Sequence, residues 1–253
     1  VPVTGSSRRA LSIVAMAMGT RTPADTLRSR LAEQHIGVGD EVVVPAYCDG
    51  EIAAAVRDAG ALPVFADIEP ASLCLDPASV AIVLSERTAA MVPVHLFGHP
   101  ADMVCLRALA QQHGLKVIEP DSGAAVSSVE VARRRQHAEF LSSRLTGVVV
   151  PFVAAGVRHV YEQYVVRVPG NGRPDRDAFK QALRARGVEC RVPVRTPLHR
   201  LPEFRTDVWL PEAERAAGEC LALPLDAAMS RRELQRIVSA CNALGGLLVE
   251  PAC

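Results

Sequence analysis

The sequence predicts an α/β protein: a doubly wound, mainly parallel sheet followed by a smaller α+β unit. Three observations carry this. From Gly39 onward, short β-branched runs alternate with helical stretches, with little connecting chain between them; repeated β-α units of this kind build parallel sheets. Ala89–Leu96 is a nearly continuous apolar run, as in a strand covered on both faces. After Ser128 the texture changes to a long arginine-rich helical stretch and mixed elements. The division is therefore placed at 1–128 and 129–253.

The elements follow in order. Glu41–Val44 is a β-branched strand ended by Pro45, and Glu51–Ala59 is an alanine-rich helix closed by Gly60. Pro63–Ile68 is the next strand. Asp76 followed by Pro77 is an N-cap with proline at the first helical position, opening a helix over Ala78–Ser85. Ala89–Leu96 is the third strand, Ala101–His113 a helix stopped by Gly114, and Leu115–Glu119 a fourth strand in which Lys116 takes a core position beside Val117. In the second half, Val129–Leu145 reads as an amphipathic helix and Tyr161–Val168 as a strand. A helix capped by Asp175 or Asp177 carries Lys180 on its exposed face and stops at Gly187. Pro211–Gly218 and Arg231–Leu244 are helices flanking a strand-like Leu221–Leu225.

The 253 residues carry 28 basic and 28 acidic side chains, a formal net charge of +0, which gives no global field to recruit nucleic acid or an anionic membrane. Seven cysteines, an odd number without C-x-x-C or zinc-ligand spacing, are expected to be reduced thiols of a cytoplasmic protein with no metal site. No apolar run reaches the ~18 residues of a membrane span. Arg8-Arg9 followed by Ala10–Met18 imitates a signal peptide without a clear cleavage site and is expected to be a buried helix.

Four stretches together resemble the DegT/DnrJ/EryC1/StrS family: Val38-Gly-Asp-Glu-Val-Val-Val-Pro-Ala-Tyr47, Ala59-Gly-Ala-Leu-Pro-Val-Phe-Ala-Asp-Ile68, Pro93-Val-His-Leu-Phe-Gly-His-Pro-Ala-Asp102, and a C-terminal series that includes Thr196-Pro-Leu-His199 and Leu210-Pro-Glu-Ala-Glu214. That family comprises aminotransferases and related dehydratases that act on nucleotide-linked keto-sugars with pyridoxal phosphate (PLP). The resemblance implies a PLP-transferase-like fold, here incomplete, and a dimer that shares its active sites. By resemblance, Gly5, Ser6 and Ser7 form a phosphate-binding turn, where small residues let backbone N–H groups approach an anion at a helix start, and Tyr47 is the ring-stacking aromatic.

The resemblance breaks where the chemistry is carried. The carboxylate that pairs with the pyridinium nitrogen falls at Pro120, with Asp121 one residue later. After Ala125–Ser128 the segment bearing the Schiff-base lysine is missing, and the chain's only lysines are Lys116 and Lys180. A Schiff-base lysine anchors the cofactor and shuttles protons. Its loss implies no covalently held PLP, although PLP binding itself stays open. Three functional readings follow. One is a silent or partner subunit of sugar or natural-product biosynthesis, as a homodimer or paired with a complete paralogue. A second is a PLP-independent enzyme using His95 and Asp121 for acid–base chemistry with Cys48 as nucleophile. The third is an ordinary sugar aminotransferase, if a lysine-bearing segment lies outside these residues. His199, Arg195 and Tyr161 are the candidates for contacting a small sugar or natural-product intermediate; the family's usual histidine near the first of these is replaced by Pro193.

Overall fold

The computed structural model describes residues 22–120, 127–169 and 175–245. Gly5, Ser6, Ser7, Asp121 and the Ala10–Met18 stretch lie outside the described residues.

The first half is built on four parallel strands: β1 Glu41–Pro45, β2 Leu62–Ala66, β3 Thr88–Met91 and β4 Lys116–Val117, in the order β2-β1-β3-β4. Around them lie α1 Pro23–Glu33, α2 Gly50–Asp58, α3 Pro77–Val83 and α4 Met103–His113. The second half contributes α5 Ser128–Ser142, β5 Tyr164–Arg167, α6 Asp175–Ala185, α7 Pro211–Glu219, β6 Cys220–Leu223 and α8 Arg231–Gly245, with β5 and β6 antiparallel. None of the described helices is long and apolar enough to cross a membrane.

Local signals set the helix ends. The Asp76 carboxylate accepts from the N–H groups of Ala78 and Ser79 with Pro77 at the first position of α3, and Gly114 closes α4 at φ 67°, where a Cβ is unfavourable. The strands are shorter than their apolar runs. Val92 N–H still donates to Val43 O, but Pro93 has no N–H to continue the ladder, so β3 ends at Met91 rather than Leu96. Beyond β4, Ile118 N–H bonds Met91 O and Pro120 follows. β5 starts at Tyr164 because Tyr161, expected in the strand, sits at φ 49°. Lys116 lies in its strand as expected but is exposed, its Nζ donating to Gln34 O at 2.6 Å, so it is not a core residue. Only Ala138 and Leu141 of α5 are buried, less than an amphipathic reading implies.

Two hydrophobic cores result. One surrounds the parallel sheet through Val42, Val43, Val44 and Met91. The other lies among α5, α6, α8 and the β5–β6 ribbon through Leu141, Leu183, Ile237 and Cys241. The ribbon divides them by its alternation: Val165, Cys220 and Ala222 face the first core, and Tyr164, Val166, Leu221 and Leu223 the second.

Candidate functional site at the carboxyl ends of the strands

Parallel sheets of this kind place their ligand sites outside the carboxyl ends of the strands. Three connections meet there. β1 runs into Tyr47, Cys48 and Asp49, β3 into the segment ending at His95, and β4 into Glu119 and Pro120. The side chains form a chain of contacts. Ala101 N–H donates to His95 Nδ1 at 3.0 Å, which leaves the imidazole proton on Nε2, 3.2 Å from Glu119 Oε2. The other oxygen of Glu119 accepts from Arg107 at 2.9 Å, and its backbone carbonyl accepts from Arg30. Partial burial opposes the charge on Glu119, but Arg107 and His95 outweigh it and hold the carboxyl below its usual range. An open, polar cleft of ≈ 770 Å³ is lined by Arg30, Glu33, His95, Lys116 and Glu119.

Both ring nitrogens of His95 are thus engaged within the protein, an arrangement that fixes the ring rather than freeing a nitrogen for substrate. Cys48 does not suit a nucleophile: it is buried, its thiol faces the carbonyls of Pro45 and Asp49, and burial raises its pKa, with Asp49 adding to the effect. Asp49 itself caps α2. Tyr47 is fully buried and meets Phe97 edge-on, with ring centroids 6.3 Å apart. Among the described residues its hydroxyl has no hydrogen-bond partner of good geometry, and burial, then Cys220 nearby, pushes the phenol well above its ordinary range.

The three substrate-contact candidates do not converge. His199 is fully buried, with Nε2 at 3.2 Å from Glu214 Oε1, an oxygen that Arg200 also engages, and so it lines no open surface. Arg195 is exposed on the loop that precedes His199. Tyr161 stacks on His159 with centroids 3.9 Å apart. The Arg30–Glu119–Arg107 constellation was not foreseen. Its members lie far apart in sequence, and only the position of Glu119 at a strand end signalled it.

A family model of the DegT/DnrJ/EryC1/StrS aminotransferase family matches residues 9–130 and 128–242. The chain belongs to this family. A pleiotropic regulatory protein of Geobacillus stearothermophilus is 28% identical, with 87% of this chain and 82% of the relative covered. An L-glutamine:2-deoxy-scyllo-inosose aminotransferase of Streptomyces paromomycinus is 41% identical over 135 residues, 49% of this chain and 32% of its own length. The structure of DesV from S. venezuelae, in complex with a ketimine intermediate, superposes with a TM-score of 0.81 over 89% of this chain and 84% of that one at 24% identity, which establishes the shared fold. The alignment with the Geobacillus relative spans 312 positions, longer than this whole 253-residue chain. That relative therefore has stretches opposite which the chain has nothing, and the two family matches meet at residues 128–130, where the sequence resemblance breaks.

DegT/DnrJ/EryC1/StrS membership implies PLP, but the described residues do not fit a covalently held cofactor. Lys116 points to the Gln34 carbonyl, and Lys180 sits on α6 beside the second core. The Tyr47 ring is enclosed against Phe97 rather than presenting an open face for stacking.

Proposed function

We propose that this chain serves sugar or aminocyclitol biosynthesis as a cytoplasmic family member without covalent PLP transamination, acting as the partner of a complete family member. The observation that carries the proposal is the placement of the only two lysines: Lys116 lines the cleft but its Nζ is tied to the Gln34 carbonyl at 2.6 Å, and Lys180 lies on α6, outside that cleft. The Streptomyces relative, named for amino transfer to 2-deoxy-scyllo-inosose, supports the biosynthetic setting. The acid–base alternative is weaker, because His95 has no nitrogen free.

The test has two arms. The purified chain is titrated with PLP, reduced with borohydride and mapped by mass spectrometry. The expected result is no saturable aldimine absorption and no stoichiometric label on either lysine; stoichiometric reduction onto Lys116 or Lys180 sinks the loss of covalent chemistry. In the second arm the chain is mixed with a complete family member of the same source and examined by native mass spectrometry. A mixed complex with altered turnover is expected, and its absence removes the partner role.

A further inference from the structure

A second pocket, of ≈ 360 Å³, shares no lining residue with the cleft at His95 and Glu119. It lies where the two halves of the chain meet. Leu96 and Phe97 come from the turn after β3, Val149 and Val150 from the segment after α5, and Val165 from β5. At its edge Val149 is 52% and Phe152 61% exposed, so apolar surface around the opening is left uncovered. The volume is in the range of small-molecule sites, and a mostly apolar wall with a few convergent polar groups is their usual chemistry.

The polar groups define what fits. Gln163 lines both this pocket and a neighbouring one, and its amide Oε1, buried with no hydrogen-bond partner among the described residues, has no surface open to a ligand. His99 and His159 line it as an edge-to-face pair with centroids 5.3 Å apart. His99 Nδ1 lies 2.8 Å from Pro100 O and therefore carries the proton, leaving Nε2 an acceptor. His159 Nδ1 accepts from Tyr161 N–H at 2.9 Å, so its Nε2 is a donor. Arg167 is the one guanidinium in the lining among the described residues, and it is committed to the Glu219 carboxylate at 2.8 Å and the Pro70 carbonyl at 3.3 Å. Among the described residues, no cation is left over in the lining to neutralise an anion, and no carboxylate lines the pocket to hold a cation.

We infer that this pocket binds an uncharged, ring-sized apolar molecule carrying one hydrogen-bond donor, held between the two halves of the chain with its donor on His99 Nε2. Because the walls come from both halves, occupancy ties them together and stabilises the folded chain by mass action.

One scaffold in three forms tests this by isothermal titration of the whole chain at pH 7: 2-naphthol, which is neutral with a donor, 2-methoxynaphthalene, which is neutral without one, and 2-naphthoate, which is an anion. Saturable one-site binding of 2-naphthol is expected, with 2-methoxynaphthalene about tenfold weaker for one lost hydrogen bond to a buried acceptor, and no binding of 2-naphthoate. His99→Phe should bring 2-naphthol down to the affinity of the methoxy compound while leaving the latter unchanged. The His99 and His159 ring protons, followed by NMR in the unmodified protein, should shift with 2-naphthol, an arm that does not depend on any variant folding. Lack of saturable 2-naphthol binding, equal binding of the anion, or unmoved histidine signals each overturns the proposal.

Discussion

The Asp67 carboxylate and the backbone of Ala213 form a helix cap across 146 residues of sequence: Oδ1 accepts the Ala213 N–H at 2.8 Å, and Oδ2 accepts the Glu212 N–H at 3.0 Å. Helix α7 needs it, because its own N-cap residue, Leu210, offers no side-chain acceptor for the first-turn amides. The aspartate of the Phe65-Ala-Asp-Ile68 motif therefore acts as a clamp between the parallel sheet and the C-terminal half rather than as a catalytic group. Asp67→Ala is expected to lower stability by about 1–2 kcal/mol, the usual cost of losing a cap, and Asp67→Asn by less, since one amide oxygen still accepts. Urea unfolding midpoints measure both, and an unchanged midpoint for the alanine variant would falsify the clamp.

Gly98 has a comparable structural meaning. It sits at φ +87°, and a Cβ there would lie 2.7 Å from Val160 Cγ2, 2.9 Å from Glu162 N and 3.0 Å from Tyr161 N. Two of those neighbours are backbone atoms, so the 160–162 segment would have to move. The same contact carries the hydrogen bond from Val160 N–H to Gly98 O at 2.8 Å. Gly98→Ala combines left-handed strain with overpacking, and a loss of about 2–4 kcal/mol is expected. Thermal unfolding of the variant beside Gly114→Ala separates the two contributions, since Gly114 has a positive φ but nothing within 4 Å of its Cβ position. Equal losses at both glycines would remove the packing argument.

What could be read from the sequence follows the range of the interactions. Asp76-Pro77 and Gly114 act within one helical turn, so the ends of α3 and α4 were visible in composition. The parallel character of the sheet rested on repeated β-α units and needed no side-chain detail. The strand ends were misjudged because hydrophobic periodicity does not register a missing N–H: Val94 and Leu96 keep the apolar pattern after Pro93 has ended the ladder. The site was harder still. Whether Cys48 is reactive or His199 accessible depends on burial by elements far along the chain. The binding of His95 to Glu119 and the capping of α7 by Asp67 join segments that no local pattern links.

Stability should fall in mild acid because of His159. Burial first, then the neighbouring His99 and Arg135 charges, depress its pKa from 6.5 to about 3. The folded protein keeps this ring neutral, while the unfolded chain takes up a proton below about pH 6.5. Lowering the pH therefore favours the unfolded state throughout the window between those values, by up to roughly 1.4 kcal/mol per pH unit. Chemical denaturation at pH 7, 6 and 5 should show the decline, and His159→Phe should have a shallower slope whatever its absolute stability. A wild-type His159 ring proton that titrates near pH 6.5 by NMR contradicts the prediction.

The thiols offer a last check, on the folded state and on Cys48 together. Cys48, Cys74, Cys220 and Cys241 are buried, and burial raises each thiol pKa, to about 11 for Cys74 and Cys220 and about 12 for Cys241. Cys190 is half-buried and likewise raised to about 11. Cys105 alone among the described cysteines is exposed; the hydrogen bond to Asp102 raises its pKa too, which slows it without blocking reagent. In a Cys253→Ser background, a disulfide reagent at pH 8 should label one thiol quickly, and Cys105→Ser should abolish that phase. The four buried thiols should react only as the protein unfolds, at a rate that urea accelerates. Fast labelling of Cys48 in the folded protein would return it to the list of candidate nucleophiles, because a reactive thiolate requires the access and lowered pKa that its buried position denies it.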